Sequence, residues 1–337
     1  MRKNVAVGML TPLLAPLTGY EKAANGLGVT LVVVTPERIR WKTQEVQGLV
    51  WSGESWTYKV VPLPRAMYNR FYGSKPPIIA KLENILGPQK IFNHVTHFDK
   101  WELHKILAGS SLRPLTPPTT LYSPTALASF LHKYSYAILK PRLGHLGVKV
   151  FLVSADDQGY HLYQGSKYPV SSYSTFEELT TKLEESITPN FLIQRFVPLA
   201  SLDGRLFDLR CLVQKDKSGS WIVSGLLSRV ALSYSYITNI SHTVISGETA
   251  LEQAFPGYDL LSEVKNVSIK GAQVAEQTLG SLGEISVDLA LDHDGNIWII
   301  EFNGKPMKGI FHELQDTKTL EQVYQMPLAY ARHLATI

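Results

Sequence analysis

A single cysteine in 337 residues, Cys211, excludes an internal disulfide and with it the stapled folds of small secreted domains. Its place in the apolar run Leu209-Arg210-Cys211-Leu212-Val213 marks a small core side chain rather than a nucleophile. No stretch approaches the ~20 apolar residues that a membrane-spanning helix requires. Met1-Arg2-Lys3 followed by Val5 to Leu17 imitates a secretory signal, but Pro12 and Pro16 break it and no small-residue cleavage site follows cleanly. A first strand entering a loop is the better reading, and a cytoplasmic protein with no membrane partner is the expectation. Internal repeats and low-complexity tracts are also missing. No Ser/His/Asp or Cys/His arrangement stands out, so covalent side-chain catalysis is not indicated. His94-x-x-His97 lacks a third ligand of suitable spacing, which argues against zinc.

What is present is an ordinary globular composition, 45% hydrophobic, with enough chain for about two domains. The net charge of +4 is unevenly spread. Residues 1–98 carry 12 Lys/Arg against 5 Asp/Glu, and the remainder 21 against 24. A basic N-terminal part favours an acidic substrate or partner, although a solvated surface also accounts for scattered charges. Nothing points to nucleic acid, and oligomeric state is left open.

Val5–Leu10 and Val29–Thr35 read as strands flanking a short helix around Tyr20–Asn25, the opening of a small α/β domain that ends near residue 97. Asp99 is placed to cap a helix through Trp101–Leu107, and Arg113-Pro114-Leu115-Thr116-Pro117-Pro118 predicts an extended linker. The pattern then becomes strand-rich, over 136–140, 148–153, 160–164, 190–197, 206–214 and 221–230. One helix interrupts it, begun by the capping-box spacing Ser174-x-x-Glu177. Helical periods follow over Leu260–Leu279 and Leu320–Leu334. The expectation is an α+β body, residues 98–337, behind an α/β entry domain, residues 1–97.

The segment from Gly283 to Asn303 is the most informative. Ile285, Val287, Leu289 and Leu291 alternate with Ser286, Asp288 and Ala290, the period of a half-buried strand. Asp294-Gly295 signals a two-residue type I′ hairpin, whose central positions need positive φ. With that turn Asp288 falls directly opposite Glu301, Cβ atoms roughly 4.5–5.5 Å apart. Asn303 shares their face, while Trp298, Ile300 and Phe302 point away. Facing carboxylates repel, and a hard divalent cation such as magnesium would hold both. A water-screened pair, or a one-residue bulge that shifts the register, fits the same residues.

The order of signals along the chain resembles that of ATP-grasp enzymes. These are Asp99-Lys100-Trp101, Ile138-Leu139-Lys140-Pro141 before Gly144 and Gly147, Gln194-Arg195-Phe196-Val197, Asp208-Leu209-Arg210, and Asp288, Glu301 and Asn303. Tyr68-Asn69-Arg70, Phe98-Asp99-Lys100-Trp101-Glu102 and Asn303-x-Lys305-Pro306 are similar to the endospore coat-associated YheC/YheD family. The resemblance covers nearly the whole chain and implies an ATP-grasp fold preceded by a small α/β domain. Its lobes would meet at 197/198. It also implies ATP and Mg2+ as cofactors, and a cytoplasmic location with spore association.

Through the resemblance, Lys100 and Lys140 would meet the phosphates of ATP, with Gly144, His145 and Gly147 in a loop folded over them. Lys149 and His145 depart from the family, which usually has a glycine and a serine there. Gln194, Arg195, Phe196 and Val197 would form the adenine hinge, and Asp208 would accept from the ribose. Arg210 and Arg229 would clamp the transferring phosphoryl group. Asp288, Glu301 and Asn303 would hold magnesium. Asn239 matches an asparagine of related carboxylate–amine ligases, without the paired glycines that follow it there. The implied activity is ligation of a small-molecule or peptide carboxylate to an amine through an acyl phosphate. Two other readings stay open: a nucleotide-binding structural protein of the spore coat, and a phosphotransferase acting on a hydroxyl.

Overall fold

The computed structural model describes residues 5–144 and 147–337, and its architecture is α+β, as expected. His145, expected in the phosphate loop, lies outside the described residues. Strands Val5–Leu10, Val29–Val34, Met67–Asn69 and Ile91–Phe92 form the parallel part of a first sheet. The hairpin of Glu45–Trp51 and Trp56–Pro62 extends it antiparallel. Tyr20–Leu27 is the expected crossover helix, ended by Gly28 at φ 61°, a left-handed conformation that glycine adopts without steric penalty. The core on this side is completed from the far end of the chain. Leu328, Ala331 and Leu334 of the helix Thr317–Thr336 pack with Val7, Met9, Tyr20 and Leu31.

A second, antiparallel sheet runs in the order 171–173, 159–163, 151–156, 136–141, 191–195, 119–121. Helices Pro124–Tyr134 and Phe176–Glu184 bury Leu127, Leu131, Leu179 and Leu183 against it. The capping box lies one residue later than Ser174/Glu177. Thr175 Oγ1 accepts from Glu178 N, and the Glu178 carboxylate accepts from both Ser174 N and Thr175 N. The expected linker is also different, because Arg113–Leu115 winds into a 3-10 turn before the strand Thr119–Leu121.

The third sheet is antiparallel, in the order 241–246, 221–231, 205–215, 284–291, 297–303. Helix Leu261–Leu279 covers one face through Val264, Val267 and Ala272. The strand Glu284–Leu291 is buried at every position, so its polar alternates are not solvated as a half-buried strand would have them.

The hairpin that follows is not the two-residue type. Asp292 and Asn296 close the loop His293-Asp294-Gly295, with Asp292 N donating to Asn296 O and Gly295, at φ 81°, donating to Asp292 O. The Asp292 carboxylate accepts from Asp294 N and Asn296 N and so favours the longer turn. Pairing is displaced by one residue, Leu289 to Ile299 and Leu291 to Ile297. An irregularity between Asp288 and Leu289 leaves Ile300 as the extra residue and restores the register, so Asp288 does pair with Glu301.

Candidate active site

The second and third sheets face each other across a cavity whose wall collects expected residues from seven secondary-structure elements or the loops that follow them. Lys100, Lys140, Gly144, Gly147, Gln194 to Val197, Asp208, Arg229, Asp288 and Glu301 all line it. Arg210 and Asn303 are not on this wall. Arg210 lies behind Asp288, and Asn303 pairs with Ser286 further along the hairpin. Ile300, expected to point away, lines the cavity because it is the bulged residue.

Lys140 ends the strand Tyr136–Pro141 and is buried, with Nζ donating to Gln194 Oε1 at 2.9 Å and to Ile300 O at 3.5 Å. Burial pushes its ammonium down to about 8; Glu301 partly offsets this and Lys100 adds to it. Lys100 opens the helix Lys100–Ala108, which Asp99 caps through Trp101 N and Glu102 N. Asp99 also receives the fork of Arg142, Nη2 to Oδ2 at 2.6 Å. Helix start and glycine loop are thereby fastened together. Lys100 Nζ spans the cavity mouth, donating to Gly144 O at 2.8 Å and pairing with Glu301 Oε1 at 3.0 Å.

Gly147 has φ 70°, and a Cβ there would lie 2.7 Å from Asn239 Nδ2. The conformation favours glycine there, and a Cβ would also have to displace the Asn239 side chain. Lys149, where the resemblance led us to expect glycine, takes the left-handed conformation at φ 59°. Asn239 accordingly touches the loop, and it accepts from Arg229 Nη1 at 3.3 Å.

The acidic residues sit in cross-strand rungs. Asp208 is paired with Arg229, Arg210 with Asp288, and Asp288 with Glu301. Arg210 grips Asp288 with both arms, Nε to Oδ1 at 2.8 Å and Nη2 to Oδ2 at 2.7 Å, and Arg229 Nη2 adds a third bond at 3.0 Å. Burial raises the Asp288 carboxyl, but Arg210 and then Arg229 hold it below the usual range. Asp208 accepts from Arg229 through both oxygens and from Thr238 Oγ1 at 2.5 Å. That occupies three of a carboxylate's roughly four acceptor positions.

These contacts alter the case for a metal. Facing carboxylates need a counter-charge, and the protein supplies it, from Arg210 and Arg229 for Asp288 and from Lys100 for Glu301. Repulsion therefore does not by itself demand an ion. Among the described residues no three His, Cys, Asp or Glu side chains form a ready-made cage. The donor set still suits magnesium, which takes one or two carboxylates and completes its shell with phosphate and water.

Sequence reasoning missed the segment Tyr236-Ile237-Thr238 on the cavity wall. The Tyr236 hydroxyl contacts Val150 O at 3.0 Å and Tyr163 O at 3.2 Å, reaching from the third sheet to the second. The segment has no period, and only its place beside Asp208 and the glycine loop shows its part.

The family model described as YheC/D-like ATP-grasp matches residues 89–334. The chain is 25% identical over 289 aligned residues to the endospore coat-associated protein YheD of Bacillus subtilis (strain 168), covering 81% of this chain and 64% of YheD. It thus spans less than two thirds of that relative's length. To YheC of the same organism it is 26% identical over 337 aligned residues, covering 93% of this chain and 90% of YheC. Solved structures share the fold. They include the ATP-grasp ligase PsnB complexed with a phosphomimetic variant of its minimal precursor, Mg and ADP, at TM-score 0.56 and 15% identity over 99% of each chain. D-alanyl-alanine synthetase A from Vibrio cholerae O1 biovar eltor aligns with TM-score 0.54 and 12% identity over 100% of each chain.

Proposed function

The chain belongs to the YheC/D-like ATP-grasp family, and from that premise we propose that it is an ATP-dependent, magnesium-requiring ligase joining a carboxylate to an amine. The observation that carries this reading is one cavity in which Lys100, Lys140, the glycine loop, the 194–197 segment, Asp288 and Glu301 converge.

Adenine lies against Phe196 and Val197 and takes hydrogen bonds from the backbone beside Gln194. Lys140 meets the phosphates. Lys100 exchanges Glu301 and Gly144 O for phosphate oxygens, which frees Glu301 for the metal. Asp288 and Glu301, with Asn303 beside them on the hairpin, would hold magnesium, which would offset the charge developing on the phosphates. Arg229 points its guanidinium at the transferring group, and Arg210, gripping Asp288, positions that carboxylate from behind. Asp208, which accepts from Arg229 and Thr238, orients the arginine. A substrate carboxylate oxygen attacks the γ-phosphorus, the bond to the bridging oxygen breaks, and ADP leaves. The amine nitrogen then attacks the acyl carbon, inorganic phosphate departs, and the amine's proton passes to solvent.

Phosphate release from ATP, measured over a panel of acids and amines with and without magnesium, tests the reading. Release that requires both an acid and an amine supports it, and a phosphorylated hydroxyl product in mass analysis replaces it with phosphotransfer. One observation favours a second reading, a nucleotide-binding spore-coat component without turnover. Lys149 holds a conformation that the related loops give to glycine, which stiffens the loop. Magnesium-dependent nucleotide binding with no product from any acid and amine would favour that reading.

A further inference from the structure

The strand Thr119–Leu121 forms one edge of the second sheet. Gln194 lies directly opposite Thr119 on the neighbouring strand, and Lys140, one strand further in, pairs with Leu192. Residues two apart on a strand share a face, so Thr119, Gln194 and Lys140 line up across three strands on one side of the sheet. Their side chains are joined end to end. Lys140 Nζ donates to Gln194 Oε1 at 2.9 Å, Gln194 Nε2 to Thr119 Oγ1 at 3.0 Å, and Thr119 Oγ1 to Pro117 O at 2.8 Å. Lys140 and Gln194 are both buried and both line the nucleotide cavity. Thr119 does not line it.

The two ends of this chain fix the direction of the amide between them. An ammonium has three donors and no acceptor, so only the oxygen of Gln194 can face Lys140. A hydroxyl has one proton, and that of Thr119 is committed to Pro117 O. Thr119 therefore meets Gln194 with a lone pair and selects its NH2 group. Packing supplies no such preference, because the two ends of an amide are nearly alike in size. A chamber of about 30 Å³, walled in part by Thr119, Gln194, Lys140 and His104, also leaves the amide unwedged on that side. Turned round, Gln194 would set donor against donor and leave a buried ammonium without its acceptor.

We propose that Thr119 is a positioning residue for nucleotide binding, holding the Gln194 amide with its oxygen toward Lys140 and so the ammonium in place for the phosphates. This role rests on the reading above, in which Lys140 meets the phosphates of ATP. Thr119 itself touches neither nucleotide nor metal.

Calorimetric titration of Mg·ADP into the full chain and its variants tests the role. Thr119→Val keeps the size and β-branching of the side chain and removes the hydroxyl. It should weaken Mg·ADP binding about fivefold, the worth of one hydrogen bond. Thr119→Ala should do the same, whereas Thr119→Ser, which keeps the hydroxyl, should stay within about twofold of wild type. In a Lys140→Met background Thr119→Val should cost less than about twofold, because the ammonium it steers is gone. A residue that only secures the edge strand, or only the bond to Pro117 O, would lose the same factor with or without Lys140. Melting temperatures report that each variant is folded. An equal loss in both backgrounds, no loss in either, or a loss that Thr119→Ser shares overturns the proposal. A wild-type chain that binds no Mg·ADP, or binds it as tightly after Lys140→Met, removes the reading of Lys140 and the role of Thr119 with it. Binding that depends on Lys140 but is indifferent to Thr119 leaves that reading standing and removes only the positioning role.

Discussion

Asp288 and Glu301 stand opposite each other on adjacent strands, yet each already has cationic partners, Asp288 the half-buried Arg210 and the buried Arg229 that it shares with Asp208, and Glu301 Lys100. The two carboxylates are therefore not equivalent. Asp288 is held within the sheet by cross-strand arginines, whereas Glu301 is held by one long flexible side chain, for which we propose a second use at the phosphates.

The asymmetry predicts different outcomes for two conservative substitutions. Asp288→Asn leaves Arg210 without its acid, while Arg229 keeps Asp208, and should destabilise the fold by about 3 kcal/mol. Glu301→Gln breaks a partly exposed pair and should cost no more than about 1 kcal/mol. Both should weaken magnesium-dependent nucleotide binding. Urea unfolding and ADP titrations across a magnesium series separate the two effects. An unchanged magnesium dependence in Glu301→Gln removes that residue from the metal site.

Lys140 gives a pH signature. Its ammonium is pushed down to about 8 from an ordinary 10.5, so between those values the unfolded chain binds the extra proton and stability rises with pH. Lys308, buried beside Glu284 and likewise pushed down to about 8, adds the same trend and must be held constant. Comparing Lys140→Met with wild type does so. The melting temperature of the variant relative to wild type should fall as pH rises from 8 toward 10. A difference independent of pH would show that Lys140 is not a desolvated cation. The same substitution should weaken ADP binding while the fold persists.

Much of this site was legible because its residues end or begin regular elements. Asp99 caps its helix, Lys140 closes a strand before proline, and Asp288 and Glu301 share a hairpin. The facing pair was deduced through a turn that the chain does not use. A three-residue loop and a bulge at Ile300 displace the register in opposite senses, and periodicity resolves neither. The Asp208–Arg229 and Arg210–Asp288 rungs needed the order of strands in the sheet, because 21 and 78 residues separate the partners. The helix Pro124–Tyr134 carried a readable start, Ser123 as cap and Pro124 in the first turn, that was overlooked. Packing of the C-terminal helix against the first sheet leaves no local trace at all.

Two residues of the glycine loop should respond in opposite directions. Lys149→Gly relieves a left-handed conformation and should stabilise the protein by up to about 1 kcal/mol, with Mg·ADP affinity changed by less than about threefold. Gly147→Ala introduces a Cβ against Asn239 and strains φ, and should weaken Mg·ADP binding by about tenfold or more. Thermal melts and ADP titrations read both. A destabilised Lys149→Gly would mean that the lysine side chain, not its backbone, matters to the loop.

Tyr236 joins the second and third sheets by one hydroxyl directed at two carbonyls, Val150 O just beyond the glycine loop and Tyr163 O at a strand end. Replacing it with phenylalanine keeps the ring and deletes only this link, a loss of about 1 kcal/mol in the free protein. If the link holds the cavity around nucleotide, its removal should act mainly on escape, since most affinity changes within one complex appear in the dissociation rate. Stopped-flow release of a fluorescent ADP analogue from Tyr236→Phe should then be about fivefold faster than from wild type, with association little altered. A lower melting temperature with an unchanged release rate would reduce Tyr236 to a packing role and leave the enclosure of nucleotide to the Lys100 bridge between Gly144 and Glu301.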